Sequence, residues 1–173
     1  AMNNGQVFEA FNLAALWQLP VLYIIENNKY GMGTAVDRAA AGSHLYKRGE
    51  AFGIKGEIVD GMNVYSVIKA ADKAGEYVRS GKGPYILEVQ TYRYRGHSMS
   101  DPAKYRTKDE LEEYKNSDPI EIVREEILKK KIASKKELEK LNKEIIEEIK
   151  SAVDFALESD FPSSEELYTD VYI

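Results

Sequence analysis

The sequence predicts an α/β fold, a Rossmann-like parallel sheet flanked by helices and followed by a helical C-terminal region. Three observations predict it. Residues 19–25 (Leu-Pro-Val-Leu-Tyr-Ile-Ile) form an apolar run that does not alternate with polar residues, as a strand buried on both faces of a parallel sheet does. Segments with helical apolar spacing precede that run and lie between later strand-like runs, which is the alternation of a parallel sheet. Beyond residue 106 the pattern is helical throughout.

The elements follow in order. Over residues 3–18, Val7, Phe8, Phe11, Ala14, Ala15 and Trp17 make one apolar helical face, entered through Asn3, Asn4 and Gly5. The N-terminus of this helix, with its free amides and positive dipole end, suits a diphosphate. The strand 19–25 comes next. Residues 31–56 read as irregular, because glycines at 31, 33, 42, 49, 53 and 56 interrupt any period, and His44 reads as a solvated loop residue. Residues 57–61 read as a short strand and turn. Residues 63–80 read as a helix carrying Val64, Val67, Ile68, Ala71, Ala74 and Val78 on one face, with Gly81 as its C-cap. Residues 85–92 form the next strand. The loop 80–84 lacks the Gly-Lys-Ser/Thr ending of a phosphate loop and leads into a strand.

The helical remainder carries its own signals. Thr107 with Glu110, and Ser134 with Glu137, have capping-box spacing. Asp118-Pro119 reads as an N-cap and first helical residue. Ile120, Val123, Ile127 and Leu128 mark one amphipathic helix, and Leu138, Leu141, Ile145, Ile149 and Val153 mark a longer one. The Lys129–Lys131 run is interspersed with nearby glutamates and reads as a solvated helix face. Residues 167–173 form a short apolar tail suited to packing on a neighbour. The expected division is residues 1–106, an α/β domain including the loop 93–106, and residues 107–173, a helical extension packed on it.

Composition excludes several functions. A net charge of −5 argues against nucleic acid, whose backbone demands concentrated Lys and Arg. The chain has no cysteine, which removes disulfides, thiolate catalysis and zinc–thiolate sites. No stretch approaches the length of a membrane span, and no membrane partner is expected.

Two polar stretches stand at strand carboxyl ends, where ligands bind in open α/β sheets. The first is Glu26-Asn27-Asn28-Lys29-Tyr30-Gly31-Met32-Gly33. Asparagine supplies a neutral oxygen ligand or amide donors, and the glycines allow close backbone approach. The second is Tyr92-Arg93-Tyr94-Arg95-Gly96-His97-Ser98-Met99-Ser100-Asp101-Pro102. Its arginines are phosphate donors, and His97 is able to donate to a phosphate or titrate near neutral pH. By composition alone His97 is an unremarkable loop histidine.

These two stretches resemble the thiamine-diphosphate motif and the phosphorylatable loop of the 2-oxo acid dehydrogenase family, and within it the alpha subunits of the decarboxylating component of pyruvate dehydrogenase. The family motif begins with Gly-Asp-Gly and ends with Asn-Asn. This chain carries the end, and Ala1 matches the residue after Gly-Asp-Gly, so a C-terminal portion of such a subunit is expected. The resemblance implies the thiamine-diphosphate-binding fold, with thiamine diphosphate and Mg²⁺ as cofactors. It assigns the metal to the Asn28 side chain and the Tyr30 carbonyl, beside the Gly-Asp-Gly aspartate. It gives cofactor contacts to Ala1, Asn28, Tyr30, Arg93 and His97, with His97 the catalytic candidate and Arg93 ordering the loop. Ser98 matches a regulatory phosphorylation site, whereas Ala103-Lys104-Tyr105-Arg106 stands where a further serine occurs in the mitochondrial pattern.

The implied activity is oxidative decarboxylation of pyruvate with reductive acetylation of a lipoyl group, feeding acetyl-CoA formation. The implied partners are a beta subunit, in a heterotetramer of two alpha and two beta chains, and a lipoyl acyltransferase component. The implied location is a bacterial cytoplasm or a mitochondrial matrix. The alternatives are the alpha subunit of a branched-chain 2-oxo acid or acetoin dehydrogenase, or a fragment with only a structural or assembly role. These 173 residues by themselves are expected to be inactive, because the metal's charged protein ligand is not among them.

Overall fold

The computed structural model of the chain describes residues 1–42 and 44–171. They divide into two compact units, Ala1–Arg124 and the residues from Glu125 onward.

The first unit opens with α1 (Gly5–Leu16), where Asn4 Oδ1 accepts from the N–H of Gln6 at 3.0 Å. Then come β1 (Leu22–Asn27), a small antiparallel hairpin of β2 (Tyr30–Gly31) and β3 (Thr34–Ala35), and one helical turn, α2 (Val36–Ala39). A 3₁₀ helix (Leu45–Phe52), β4 (Lys55–Asp60), α3 (Val64–Arg79) and β5 (Tyr85–Gln90) follow. After a loop come α4 (Lys108–Lys115) and α5 (Pro119–Lys129). The Asn63 side chain caps α3, accepting from the N–H groups of Tyr65 and Ser66. Ser80 is the C-cap of α3, and Gly81 follows it at φ +74°.

The sheet is parallel, in the order β1-β5-β4, with Leu22 and Lys55 both opposite Tyr85 and with Asn27 and Asp60 both opposite Gln90. Because side chains alternate along a strand, β5 supplies both cores. Tyr85 and Leu87 pack with Val59 under Ala70, Ala74 and Val78 of α3. Ile86 packs with Ile25 under Phe11 of α1, beside Leu45 and Ile54. The three strands therefore end together, and both polar stretches leave the sheet at the same edge.

Four expectations are corrected. β1 is not buried on both faces: Ile24 is 64% exposed and Glu26 is exposed. β1 has one strand neighbour among the described residues, and α3 lies over β5 and β4 more than over β1. The strand also runs two residues further than the apolar run, through Glu26 to Asn27. Residues 31–56 are not irregular. Their hairpin and 3₁₀ helix are short; buried Leu45 and Ile54 tie the 3₁₀ segment to Ile86, and Tyr30 of the hairpin is held by distant Glu110 and Tyr105, not by a local period. Trp17 leaves the apolar face of α1, standing 62% exposed at the helix C-cap.

In the second unit, α6 (Lys135–Glu158) begins with a complete capping box. Ser134 Oγ accepts from the N–H of Glu137, and the Glu137 carboxylate accepts from the N–H of Ser134 at 2.7 Å. Its Leu141, Ile145, Ile149 and Val153 are exposed. Lys130 pairs with Glu126 as a solvated helix face does. Leu167 and Tyr168, in a short 3₁₀ helix (Ser164–Tyr168), are exposed, while Tyr172 and Ile173 of the expected tail lie outside the described residues. No helix among the described residues is long and apolar enough to cross a membrane.

Candidate functional site at the carboxyl ends of β1 and β5

The site is built on Asn27, the last residue of β1. Asn27 is buried, and both of its side-chain polar atoms and its carbonyl are engaged. Nδ2 donates to Glu88 Oε1 at 2.7 Å, Oδ1 accepts from the N–H of Lys29 at 3.2 Å, and the carbonyl accepts from the N–H of Thr91 at 3.0 Å. The turn that follows puts Lys29 in the left-handed region, at φ +71°, a costly conformation for a lysine that the side-chain bond of Asn27 helps to hold.

Asn28 and Tyr30 line two adjoining spaces. The larger, of about 440 Å³, is also lined by Ala1, Asn3, Glu26 and Thr34. Its floor near Ala1 is held by Arg48, which donates to the carbonyl of Met2 and, at 2.7 Å, to Asn3 Oδ1. Asn3 Nδ2 in turn donates to the carbonyl of Ala39 at 2.8 Å. The smaller space, of about 20 Å³, is lined with Asn28 and Tyr30 by Arg93, Arg95, His97 and Arg106. The two polar stretches thus converge, with Asn28, Tyr30, Arg93 and His97 in one place. Ala1 joins them only through the larger space. Ser98 lines neither: it is exposed, with its Oγ 3.1 Å from Ser100 Oγ.

The loop after β5 is organised by two residues that carry no signal of their own in the sequence. The Asp101 side chain is only 7% exposed. Its Oδ1 accepts from the N–H of Ala103 at 2.8 Å. Its Oδ2 meets the N–H of His97 at 3.0 Å, His97 Nδ1 at 2.9 Å and the Tyr105 hydroxyl at 2.8 Å. These donors, the N–H of Ala103 first and then that of His97, hold the carboxyl well below the usual carboxylate range. Gly96 is required here, because a Cβ would lie 2.7 Å from Asp101 Cβ. The second organiser, Arg106, donates to the carbonyls of Arg93 and Tyr94 and lies over the rings of Tyr92 and Tyr105, 5.4 and 5.9 Å from their centroids.

Glu110 corrects another expectation. Thr107 Oγ1 accepts from the N–H of Glu110 at 3.1 Å, but the Glu110 carboxylate does not return to close a capping box. It accepts instead from the Tyr30 hydroxyl, at 3.0 and 3.1 Å. Burial first, and then that bond, raise the Tyr30 phenol. Burial, with Glu110 adding to it, pushes Tyr92 up to about 12, and its ring stacks on Tyr114 with centroids 3.9 Å apart. The Tyr30 ring packs on Tyr105 at 5.3 Å. Gly33 leaves room for that arrangement, since its Cβ would come within 3.2 Å of the Tyr105 ring. His44 is not a solvated loop residue: it is half-buried beside Tyr46, and its Nδ1 is buried with no hydrogen-bond partner among the described residues.

Chemically, three guanidinium groups, an imidazole and an asparagine amide around one space suit an anion with several oxygens. An amide oxygen and backbone carbonyls suit a hard cation. No group of three or more His, Cys, Asp or Glu able to hold a metal occurs among the described residues. Sequence reasoning missed Glu88, Asp101, Arg106 and Glu110. Glu88 had a visible signal, an acidic residue amid the apolar run of β5, while the spacing of Glu110 pointed to a cap and not to Tyr30.

Fold and site together define an α/β protein with a polar cleft and a cationic space at the carboxyl ends of adjacent parallel strands. Residues 1–165 match the family model described as "Dehydrogenase E1 component", and the chain belongs to that family. It is 55% identical over 172 residues to the pyruvate dehydrogenase E1 component subunit alpha of Rickettsia felis, covering 99% of this chain and 53% of the relative. It is 53% identical over 174 residues to the subunit of that name from Rhizobium meliloti, covering 100% of this chain and 50% of the relative. The mitochondrial subunit of Sminthopsis macroura is 49% identical over 174 residues, 99% of this chain and 47% of its own length. The chain spans about half the length of the curated relatives it matches.

Proposed function

We propose that the chain is the diphosphate-holding part of the alpha subunit of a thiamine-diphosphate-dependent pyruvate dehydrogenase. The whole enzyme oxidatively decarboxylates pyruvate and reductively acetylates a lipoyl group. The observation that carries this reading is the position of Asn28 and Tyr30, which line both the 440 Å³ cleft and the cationic space of the second loop. The donor set fits the cofactor pair. Mg²⁺ takes hard oxygen ligands and shares them with phosphates, and the Asn28 amide oxygen and the Tyr30 carbonyl would be its ligands from this chain. His97 Nε2 and the guanidinium groups of Arg93 and Arg95 would hold the diphosphate oxygens. Ala1 would line the cofactor's passage through the larger cleft. When bound, thiamine diphosphate supplies a carbon nucleophile for the 2-oxo group and an electron sink for loss of CO₂.

This chain's own residues bind and orient. Asp101 meets His97 Nδ1 at 2.9 Å, so that an imidazolium at position 97 would give Nδ1–H to Asp101 and turn Nε2–H toward an anion. Arg106 fixes the loop backbone at Arg93 and Tyr94, and Arg93 donates to the His97 carbonyl at 3.4 Å. The subunit would work with a beta subunit in a heterotetramer of two alpha and two beta chains, and would pass its product to a lipoyl acyltransferase. Bacterial and mitochondrial relatives support a bacterial cytoplasm or mitochondrial matrix. Ser98 would be the regulatory site. A phosphate there adds about −1.5 to −2 charge, close in sequence to the Asp101 carboxylate and to the ligand's own phosphates.

The test is calorimetric titration of thiamine diphosphate with Mg²⁺ into full-length alpha subunit assembled with its beta subunit. Binding is expected, with pyruvate turned over in preference to branched-chain 2-oxo acids. Asn28→Ala should weaken Mg²⁺-dependent binding by about 100-fold. Ser98→Glu should weaken it while leaving assembly intact. Undiminished binding by Asn28→Ala would overturn the site, and preference for a branched-chain acid would move the substrate to the alternative class.

A further inference from the structure

Glu88 is the one acidic side chain among the largest fully buried groups, at 0% exposure in the middle of the central strand. A carboxylate there is costly unless its oxygens are satisfied, and stability alone does not ask for one, because an apolar group of similar volume often does as well. Both oxygens are used. Oε1 accepts from Asn27 Nδ2 at 2.7 Å on β1, and Oε2 accepts from the N–H of Tyr46 at 3.0 Å in the 3₁₀ helix. One side chain therefore joins three elements. Its main beneficiary is Asn27, whose amide orientation is fixed from both ends, Nδ2 by Glu88 and Oδ1 by the N–H of Lys29. The Asn27 carbonyl holds the N–H of Thr91, where the chain leaves β5 toward Arg93. The turn carrying Asn28 and Tyr30 and the loop carrying Arg93 and His97 both depart from this residue.

We propose that Glu88 is a positioning residue for the cofactor site, holding Asn27 so that Asn28 and Tyr30 are set for the metal and diphosphate. This rests on the function proposed above. A glutamine at position 88 has one acceptor oxygen, so its NH₂ would face either Asn27 Nδ2 or the N–H of Tyr46, donor against donor. Exchanging both residues restores the pairing. In Asn27→Asp/Glu88→Gln, the new amide donates to the new carboxylate and accepts from Tyr46, while the carboxylate's second oxygen still accepts from Lys29. The pair's net charge matches that of the original.

The experiment uses full-length alpha subunit assembled with its beta subunit, with Mg²⁺ and thiamine diphosphate as probes and melting temperature as a parallel readout. Glu88→Gln is expected to weaken Mg²⁺ affinity by about 10- to 100-fold, as loss of an outer-shell partner does, and the exchange variant to recover most of it. Wild-type affinity in Glu88→Gln would overturn the proposal. So would an exchange variant that regains its melting temperature but not its affinity, because Glu88 would then serve the core alone. If neither variant folds, Glu88 is likewise a core residue only. If the unaltered protein binds neither probe, the functional reading fails as well; if it binds and Glu88→Gln binds equally, only the positioning role fails.

Discussion

A full-length subunit carrying Asp101→Ala is expected to lose the ordered form of the loop 93–106. Four groups lose their acceptor at once: the N–H of His97, the His97 ring, the N–H of Ala103 and the Tyr105 hydroxyl. Arg106 on the carbonyls of Arg93 and Tyr94 still holds the base of the loop, while the tip keeps the long bond of Arg93 to the His97 carbonyl, at 3.4 Å, and the backbone bond of Asp101 to Ser98, at 3.2 Å. Hydrogen exchange across residues 96–104 should become at least about tenfold faster, and proteases should cut near Met99, which is already fully exposed. Cofactor affinity should fall with it, because His97 is no longer aimed. The pH dependence gives a second readout. The folded carboxyl is held below its ordinary value. Its contribution is therefore complete above the unfolded carboxylate value of about 3.9, and is lost as the pH falls from there through the lower folded value. The Asp101-dependent protection should be level at pH 5 and above and fade below about pH 4. In Asp101→Asn that acid transition should be gone. Unchanged exchange in Asp101→Ala would refute the role given to this carboxylate.

The largest stability loss is expected from Phe11→Ala. Phe11 is 1% exposed, with its ring 4.8 Å from Tyr23, 6.4 Å from Phe8 and 6.2 Å from Phe52. It is the buried residue of α1 in the core with Ile25 and Ile86, with Val7 and Ala15 packed beside it. Truncation removes the transfer free energy of the ring and leaves a cavity that three neighbouring rings cannot close. The cost is about 3–5 kcal/mol. For a chain of this size, that is a fall in melting temperature of about 6–20 °C. In the same 173-residue chain, Trp17→Ala should cost no more than about 0.5 kcal/mol, because Trp17 is a solvated residue at the helix C-cap. Thermal melts of both variants decide the matter. A Trp17 loss as large as that of Phe11 would mean that the apolar face of α1 extends past its end after all.

Much of the fold was legible because its signals are local. Asn4, Asn63 and Ser134 cap the helices they precede, and the runs that became β1 and β5 need only their apolar character to be found. What was not legible depends on distant partners. Thr107 caps its helix as the local spacing suggests, but the capping-box reading of Glu110 fails, because Tyr30, 80 residues earlier in the chain, takes the carboxylate. The hairpin and the 3₁₀ helix lie in a glycine-interrupted segment whose order comes from distant residues, Ile86 and Ile25 for the helix and Glu110 and Tyr105 for the hairpin. β1 reads as doubly buried because apolarity does not say how many neighbours a strand has. The site shows the same division. Asn28, Tyr30, Arg93 and His97 stand in recognisable stretches. Asp101 and Arg106 act on backbone groups of the loop, and Glu88 acts through Asn27, roles for which residue type is no guide.

The strand order has a consequence for how the chain acquires its structure. The central strand, β5, is the last of the three to be synthesised, so among the described residues β1 and β4 have no sheet partner until it arrives. Asn27 and Glu88 are 61 residues apart, and at about 5–20 residues per second the first strand waits roughly 3–12 s for its neighbour to leave the ribosome. Throughout that time Leu22, Ile24 and Ile25 are without the strand they pair with among the described residues. Closing so long a loop before any sheet contact forms also places the chain among the slower folders. Nascent chains that end before residue 85 should therefore depend on chaperones, and release of the burden should coincide with the emergence of β5.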